Sequence, residues 1–163
     1  MDFDLNQRVD QSTQNKDSTG KYPFLSGGTF SAEDALRLNP LQLAYIGDTV
    51  WELIIRHRLI QKRFNVRHMH TLCVHFVNAA SQAVFLSRLA PKLTDPEHEM
   101  IQRGRNAHAR HPSPRHQQPE DYAASTAFEA LIGFLYLSGQ TERLSLLTGL
   151  ILDEESSWQI TDS

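Results

Sequence analysis

Only one cysteine, Cys73, occurs in the 163 residues. No intramolecular disulfide can form, and this usage fits a reducing compartment. No uninterrupted apolar stretch approaches the ~20 residues that a membrane-spanning helix needs. The first thirty residues lack a hydrophobic signal core, and their four aspartates argue against an organelle transit peptide. These absences predict a cytoplasmic chain with no membrane segment. Also missing are a Walker glycine loop, a dinucleotide-binding glycine pattern and a nucleophile elbow. No segment alternates apolar and polar residues as a half-buried strand does. The expectation is an all-α domain of about six helices.

What the chain does have is segregated charge. The net charge is −3, yet residues 53 to 116 hold eleven lysines and arginines against three acids, a local balance of +8. The remainder sums to −11, and all eight histidines fall in the basic part. A basic segment inside an acidic chain suits a polyanionic partner, although a solvated surface face reads the same way.

Residues 1–30 are polar and read as a disordered tail. The domain is expected over 31–156, with a short tail at 157–163. Ser31-Ala-Glu-Asp34 resembles a capping box opening a short helix to Leu38. Asn39-Pro40 supplies an N-cap and a first-turn proline for a long helix to about Arg63. Its spacing predicts Leu43, Ile46, Val50, Leu53 and Ile54 on the core face, with Asp48 and Glu52 opposite. One helix is expected from about Arg67 to Ala90, stopped by Pro91, and another from about Asp95 to Asn106. The proline-rich stretch His108 to Pro119 reads as a loop. An apolar helix then runs to Leu137, and a last one spans about Glu142 to Glu155.

Two carboxylates stand where their surroundings give no ordinary reason for them. In Leu43-Ala-Tyr-Ile-Gly-Asp-Thr-Val-Trp-Glu-Leu-Ile-Ile55 the charges are Asp48 and Glu52 alone. In Tyr122 to Leu137 the single charge is Glu129. A buried carboxylate is costly unless it is paired or binds a metal. Asp48 and Glu129 could supply the one or two carboxylates that magnesium takes, leaving its other positions to water and phosphate oxygens. A magnesium ion there would polarise a phosphoryl oxygen and activate water for in-line attack. Glu52, one turn from Asp48, could orient a ligand water. The alternative is that each acid pairs with an arginine such as Arg56 or Arg105. A di-iron site would want Glu-x-x-His pairs, which neither Glu52 nor Glu129 makes, and the histidines lack zinc spacing.

Arg56, Arg58, Lys62, Arg63 and Arg67 form one basic cluster. Arg103, Arg105, Arg110 and Arg115 form a second, in a stretch with three histidines and no acid. No aromatics interleave with these bases, which disfavours stacking on single strands. Duplex RNA, read by shape and backbone, suits them better.

The segment Leu43-Ala-Tyr-Ile-Gly-Asp-Thr-Val-Trp-Glu52 resembles the signature helix of the ribonuclease III domain. Ser125-Thr-Ala-Phe-Glu-Ala-Leu-Ile-Gly133 resembles that domain's second catalytic helix. Together with Arg103-Gly-Arg-Asn106, the latter extended to Leu137 is similar to the Mini-ribonuclease III branch, which has no double-stranded-RNA-binding domain. The likeness covers roughly residues 38 to 155. It implies a helical domain that cleaves double-stranded RNA with Mg2+, with Asp48 and Glu129 as catalytic, metal-ligating acids. Other family members carry a further acid one turn before each; here those positions hold Ala44 and Thr126. Glu52 and Thr126 are then expected as supporting residues around the metal. The resemblance also implies a homodimer formed through the signature helix, with Tyr45, Ile46 and Trp51 as candidate interface residues. The implied substrate is precursor large-subunit (23S) ribosomal RNA. The alternative is a catalytically silent RNA-binding or ribosome-associated module of the same fold.

Overall fold

Asn39 and Pro40 start the central helix as their residue types predict: the Asn39 side chain accepts from the Leu41 N–H at 2.9 Å, and Pro40 takes the first helical position. In this computed structural model, residues 28–107 and 118–153 are described. They form seven α-helices, with no strand among them: α1 Ala32–Arg37, α2 Pro40–Gln61, α3 Val66–Val77, α4 Ala79–Leu89, α5 Asp95–Ala107, α6 Pro119–Leu137 and α7 Thr141–Leu152. A short 3-10 turn, Ala90–Lys92, follows α4. The all-α expectation is met. Of the expected tail at 1–30, residues 1–27 lie outside the described residues, as do 157–163, the loop body at 108–117 and the end of the last helix. By contrast, the Gly28 and Phe30 N–H groups donate to the Tyr136 and Leu137 carbonyls, each at 3.0 Å.

Helix α6 is the centre of the domain. Its residues Ala124–Phe128 and Ala130–Leu135 are all buried, because α2, α4 and α5 pack around it. The α2–α6 contact is the most extensive in the molecule, and two glycines permit it. A Cβ on Gly47 would overlap the carbonyl oxygen of Glu129, and one on Gly133 would overlap that of Leu43. The two backbones therefore meet directly, twice, on one line of contact. Gly104 does the same for α5, where an added Cβ would lie 2.7 Å from the Ala127 Cα.

The single helix expected from Arg67 to Ala90 is in fact two. Asn78 breaks it by capping both halves. Its amide nitrogen donates to the carbonyls of Val74 (3.2 Å) and His75 (2.7 Å), while its oxygen accepts from the Ser81 N–H at 2.9 Å. Asparagine competes with helical backbone bonding in just this way. The resulting bend swings α4 across α6. At the end of α2, Arg63 adopts a left-handed conformation (φ 59°), so the helix stops at Gln61, short of the expected end.

The core face of α2 also differs in part from expectation. Leu43, Val50, Trp51, Ile55 and Leu59 are buried, whereas Leu53 is 66 % exposed. The glycine contact rotates the helix so that Gly47, rather than its bulkier neighbours, faces α6. Trp51 becomes the hub of an aromatic cluster, edge-on to Phe128 at 5.0 Å and 5.7 Å from Phe85. Its indole N–H donates to the Phe76 carbonyl at 3.0 Å, which ties α3 to α2. Elsewhere Glu97 of α5 binds Arg143 of α7 through two bonds of 2.7 Å and accepts from the Thr94 N–H at 2.8 Å. Burial pushes the Glu97 carboxyl up, but these partners outweigh it and hold the group below its ordinary value.

Candidate active site

The glycine contact fixes which side chains leave the α2–α6 seam together. Asp48 follows Gly47, and Glu129 owns the carbonyl that Gly47 packs against. Both line one cavity of about 510 Å³ with Ala44, Tyr45, Thr49, Gln82, Ser125 and Thr126. The structure thus brings together the two acids singled out in the sequence.

Their electrostatics define the site. Burial, then the nearby charge of Asp48, pushes the Glu129 carboxyl up to about 7, with the Gln82 amide opposing the shift. Burial, then Glu52, likewise raises Asp48. Neither acid forms an ion pair among the described residues. Glu52 does, with Arg56, whose Nε lies 3.0 Å from Oε1. The arginine-pairing alternative therefore applies to Glu52 and not to Asp48 or Glu129. Among the described residues no group of three His, Cys, Asp or Glu side chains converges.

Thr126 and Ser125 face the cavity, yet both hydroxyls are engaged with their own helix, donating to the Tyr122 carbonyl at 3.1 and 3.0 Å. Ala44, one turn before Asp48, also lines the wall. The cavity is therefore poor in charge beyond its two acids. The sequence reading missed Gln82. It is fully buried, and neither its Nε2 nor its Oε1 makes a hydrogen bond of normal geometry. A signal existed: Gln82 stands at the head of the apolar register Phe85, Leu86, Leu89, where a core side chain belongs.

The expected RNA-binding residues are dispersed. Arg103 is turned inward, donating to the carbonyl oxygens of Leu36 and of Leu38, the latter at 2.8 Å. It closes the C-terminal end of α1, so the guanidinium expected to meet RNA is engaged with this chain's own backbone. Arg58 pairs with Asp153 of the α7 end. Arg56 pairs with Glu52, while Lys62, Arg63 and Arg105 are exposed. Arg110 and Arg115 lie outside the described residues. Of the candidate interface residues, Tyr45 is 83 % exposed and Ile46 is partly buried. Trp51 has no accessible surface; it serves this chain's own core and offers nothing to a second copy.

Comparisons with known proteins agree with this geometry. Residues 41–140 match the ribonuclease III domain. A Mini-ribonuclease 3 from Symbiobacterium thermophilum is 47 % identical over 111 residues, covering 68 % of this chain and 85 % of that protein. A Mini-ribonuclease 3 from Clostridium tetani is 36 % identical over 138 residues, covering 82 % and 91 %. The crystal structure of protein FN1578 from Fusobacterium nucleatum superposes with a TM-score of 0.67 at 27 % identity, covering 73 % of this chain and 95 % of that one. The domain match and these relatives make the chain an endoribonuclease, of a family that is generally metal-dependent. The chain belongs to the ribonuclease III family, and within it to the Mini-ribonuclease III branch. Among the described residues no helix is long and apolar enough to cross a membrane.

Proposed function

We propose that this endoribonuclease cleaves double-stranded RNA in the cytoplasm with magnesium held by Asp48 and Glu129. The observation that carries the reading is the pair of unpaired carboxylates facing one cavity. Two acids that repel each other and are both pushed toward the neutral form mark a site short of positive charge. Hard oxygen donors, with the rest of the shell left to water and phosphate, suit magnesium. When bound there, magnesium polarises the scissile phosphate and makes water a better nucleophile.

The chain's own residues do the remaining work. Asp48 and Glu129 lose their protons and aim their oxygens into the cavity, brought close by the Gly47 contact. Glu52 holds Arg56 one turn along α2, where its guanidinium can meet a phosphate at the rim. Lys62, Arg63 and Arg105 offer further phosphate contacts, which position a duplex without reading its sequence. Ala44 and Thr126 place no extra acid in the cavity, so RNA phosphates and water would supply the other ligands of an ion held by Asp48 and Glu129. The products are 5′-phosphate and 3′-hydroxyl ends.

Support for a homodimer comes from the outer face of α2. Tyr45, Leu53 and Ile60 recur there about two turns apart and are 83 %, 66 % and 65 % exposed. Apolar residues at such spacing on an uncovered face suit a second copy of the same helix. Ile46 flanks this stripe, and Leu53 takes the place expected for Trp51.

Precursor 23S ribosomal RNA, folded where its ends pair, is the proposed substrate. The test has two arms. Purified protein is incubated with long duplex RNA with magnesium or with chelator, and large-subunit RNA ends are mapped in cells lacking the protein. Cleavage that needs the metal, with unprocessed ends in the cells, is expected. No cleavage under any divalent metal would leave a silent RNA-binding module. Unaltered ends would remove the substrate and keep the chemistry.

A further inference from the structure

Helix α4 contributes Ala79 and Gln82 to the cavity, and Gln82, the polar one of the two, is not used by the metal reading. Gln82 has no accessible surface, lines the same cavity as Asp48 and Glu129, and leaves both amide atoms without a hydrogen bond of normal geometry. Burying an unpartnered amide is costly, because the water it gives up is replaced by nothing. An apolar side chain of the same size would fit the α4 register with Phe85, Leu86 and Leu89 without that cost. As a fold-stabilising residue, glutamine is the wrong choice here.

The amide does have a use in the loaded site. We propose that Gln82 is a positioning residue for the metal: its Nε2–H donates to the Glu129 carboxylate and steers it into the cavity, while Oε1 accepts from a water of the ion's hydration shell. The inference rests on the metal reading above. Gln82 lies close enough to Glu129 to favour its charged form, so the donor needs only a small adjustment to bond it. An acceptor is the group a hydrated cation wants from its surroundings, because its waters present hydrogens outward. The Asn78 break matters for this arrangement. Without the bend at Asn78, α4 would not cross α6 at the level of Glu129. Outer-sphere partners of this kind typically change metal affinity or activity by about 10–100-fold when removed.

The test uses Gln82→Met, of similar shape and no hydrogen bonds, with Gln82→Leu as a second variant of comparable volume. Three measurements separate positioning from plain structure: the urea midpoint of the metal-free protein, manganese(II) binding followed by the EPR signal of the free ion, and kcat and KM on duplex RNA. The expected result is a metal-free midpoint equal to or above that of the unaltered protein. Manganese affinity should fall about tenfold or more, and kcat should fall while KM for RNA stays put, since Gln82 cannot reach the duplex. A lower metal-free midpoint in both variants would make the amide a structural bond and overturn the proposal. Unaltered manganese binding by a folded variant would overturn it equally. Asp48→Asn is the control: if it and the unaltered protein bind manganese alike, the metal reading itself fails, independently of Gln82.

Discussion

Gly47 of α2 packs directly against the carbonyl oxygen of Glu129 on α6, at a distance that admits no Cβ. The residue next to one acid thus touches the backbone of the other. Gly133 repeats the contact one turn on, against the Leu43 carbonyl. The two acids come close because glycine on each helix lets the backbones between them meet.

That relationship predicts the effect of Gly47→Ala. The new methyl group meets rigid helical backbone rather than a flexible side chain, so the helices must separate. Overpacking of this sort costs about 1–3 kcal/mol, and this site belongs at the upper end. The urea midpoint should drop accordingly, and cleavage by the remaining folded protein should fall more than its RNA affinity. A variant as stable as the original would contradict the close approach.

Asp48→Asn and Glu129→Gln should each nearly abolish cleavage with the fold retained. Each keeps shape and removes a charged donor. Because the native carboxylates repel and are partly desolvated, neutralising either should also raise metal-free stability at neutral pH. Circular dichroism, urea melts and a duplex-cleavage assay check this together. If Asp48→Asn kept most of its activity, the metal assignment would have to go. Glu52→Gln should do less harm, since its carboxylate already pairs with Arg56.

Glu129 sets a pH dependence whose sign can be worked out. Its carboxyl sits at about 7 in the fold against 4.5 ordinarily, so the native state holds the proton more tightly than the unfolded chain. Its contribution therefore favours folding below the ordinary value, and it is lost as pH rises to about 7. In chelator, the stability gap between Glu129→Gln and the unaltered protein should widen by on the order of 2 kcal/mol between about pH 5 and pH 8. A gap that ignores pH would show that the group is not held neutral. Metal affinity should rise over the same interval, because the ion competes with the proton.

Glu97 works in the opposite sense. Its carboxyl is held below its ordinary value by Arg143 and Thr94, despite burial, so the stability it confers is present near neutrality and is lost as pH falls through the acid range. Glu97→Ala leaves Arg143 with the Lys92 carbonyl alone and the Thr94 N–H without its acceptor, at about 2–3 kcal/mol. Calorimetric melting should register that loss, with cleavage by folded protein unchanged, because the pair joins α5 to α7 away from the cavity.

The arginines of 103–115 should divide by role. Replacing Arg105, Arg110 and Arg115 with alanine should weaken duplex binding and flatten its salt dependence, since each lost phosphate contact reduces counterion release. Arg103→Ala should instead lower the melting temperature and leave the salt slope alone, because its guanidinium serves the carbonyls of Leu36 and Leu38. An unaltered salt slope in the triple variant would move the RNA contact to Lys62 and Arg63.

Much of the molecule could be read from residue order. Asn39-Pro40 and the apolar spacing that follows determined α2, and the proline-rich stretch separated α5 from α6. The few acids inside two apolar stretches, Asp48 and Glu52 in one and Glu129 in the other, pointed to the site because a charge at a core position demands a partner. Three things were settled only by packing. The rotation of α2 about Gly47 buried Trp51 and left Leu53 outside, since a glycine–backbone contact carries no hydrophobic signal in the sequence. Arg103 looked like its basic neighbours until the end of α1 came within reach of its guanidinium. Gln82 is a neutral residue in an ordinary helix, and its place beneath Glu129 depends on the Asn78 bend and the crossing of α4 over α6. Local sequence sets where helices start and which faces are apolar. Which polar atoms are then sealed in without partners is decided by how the helices meet.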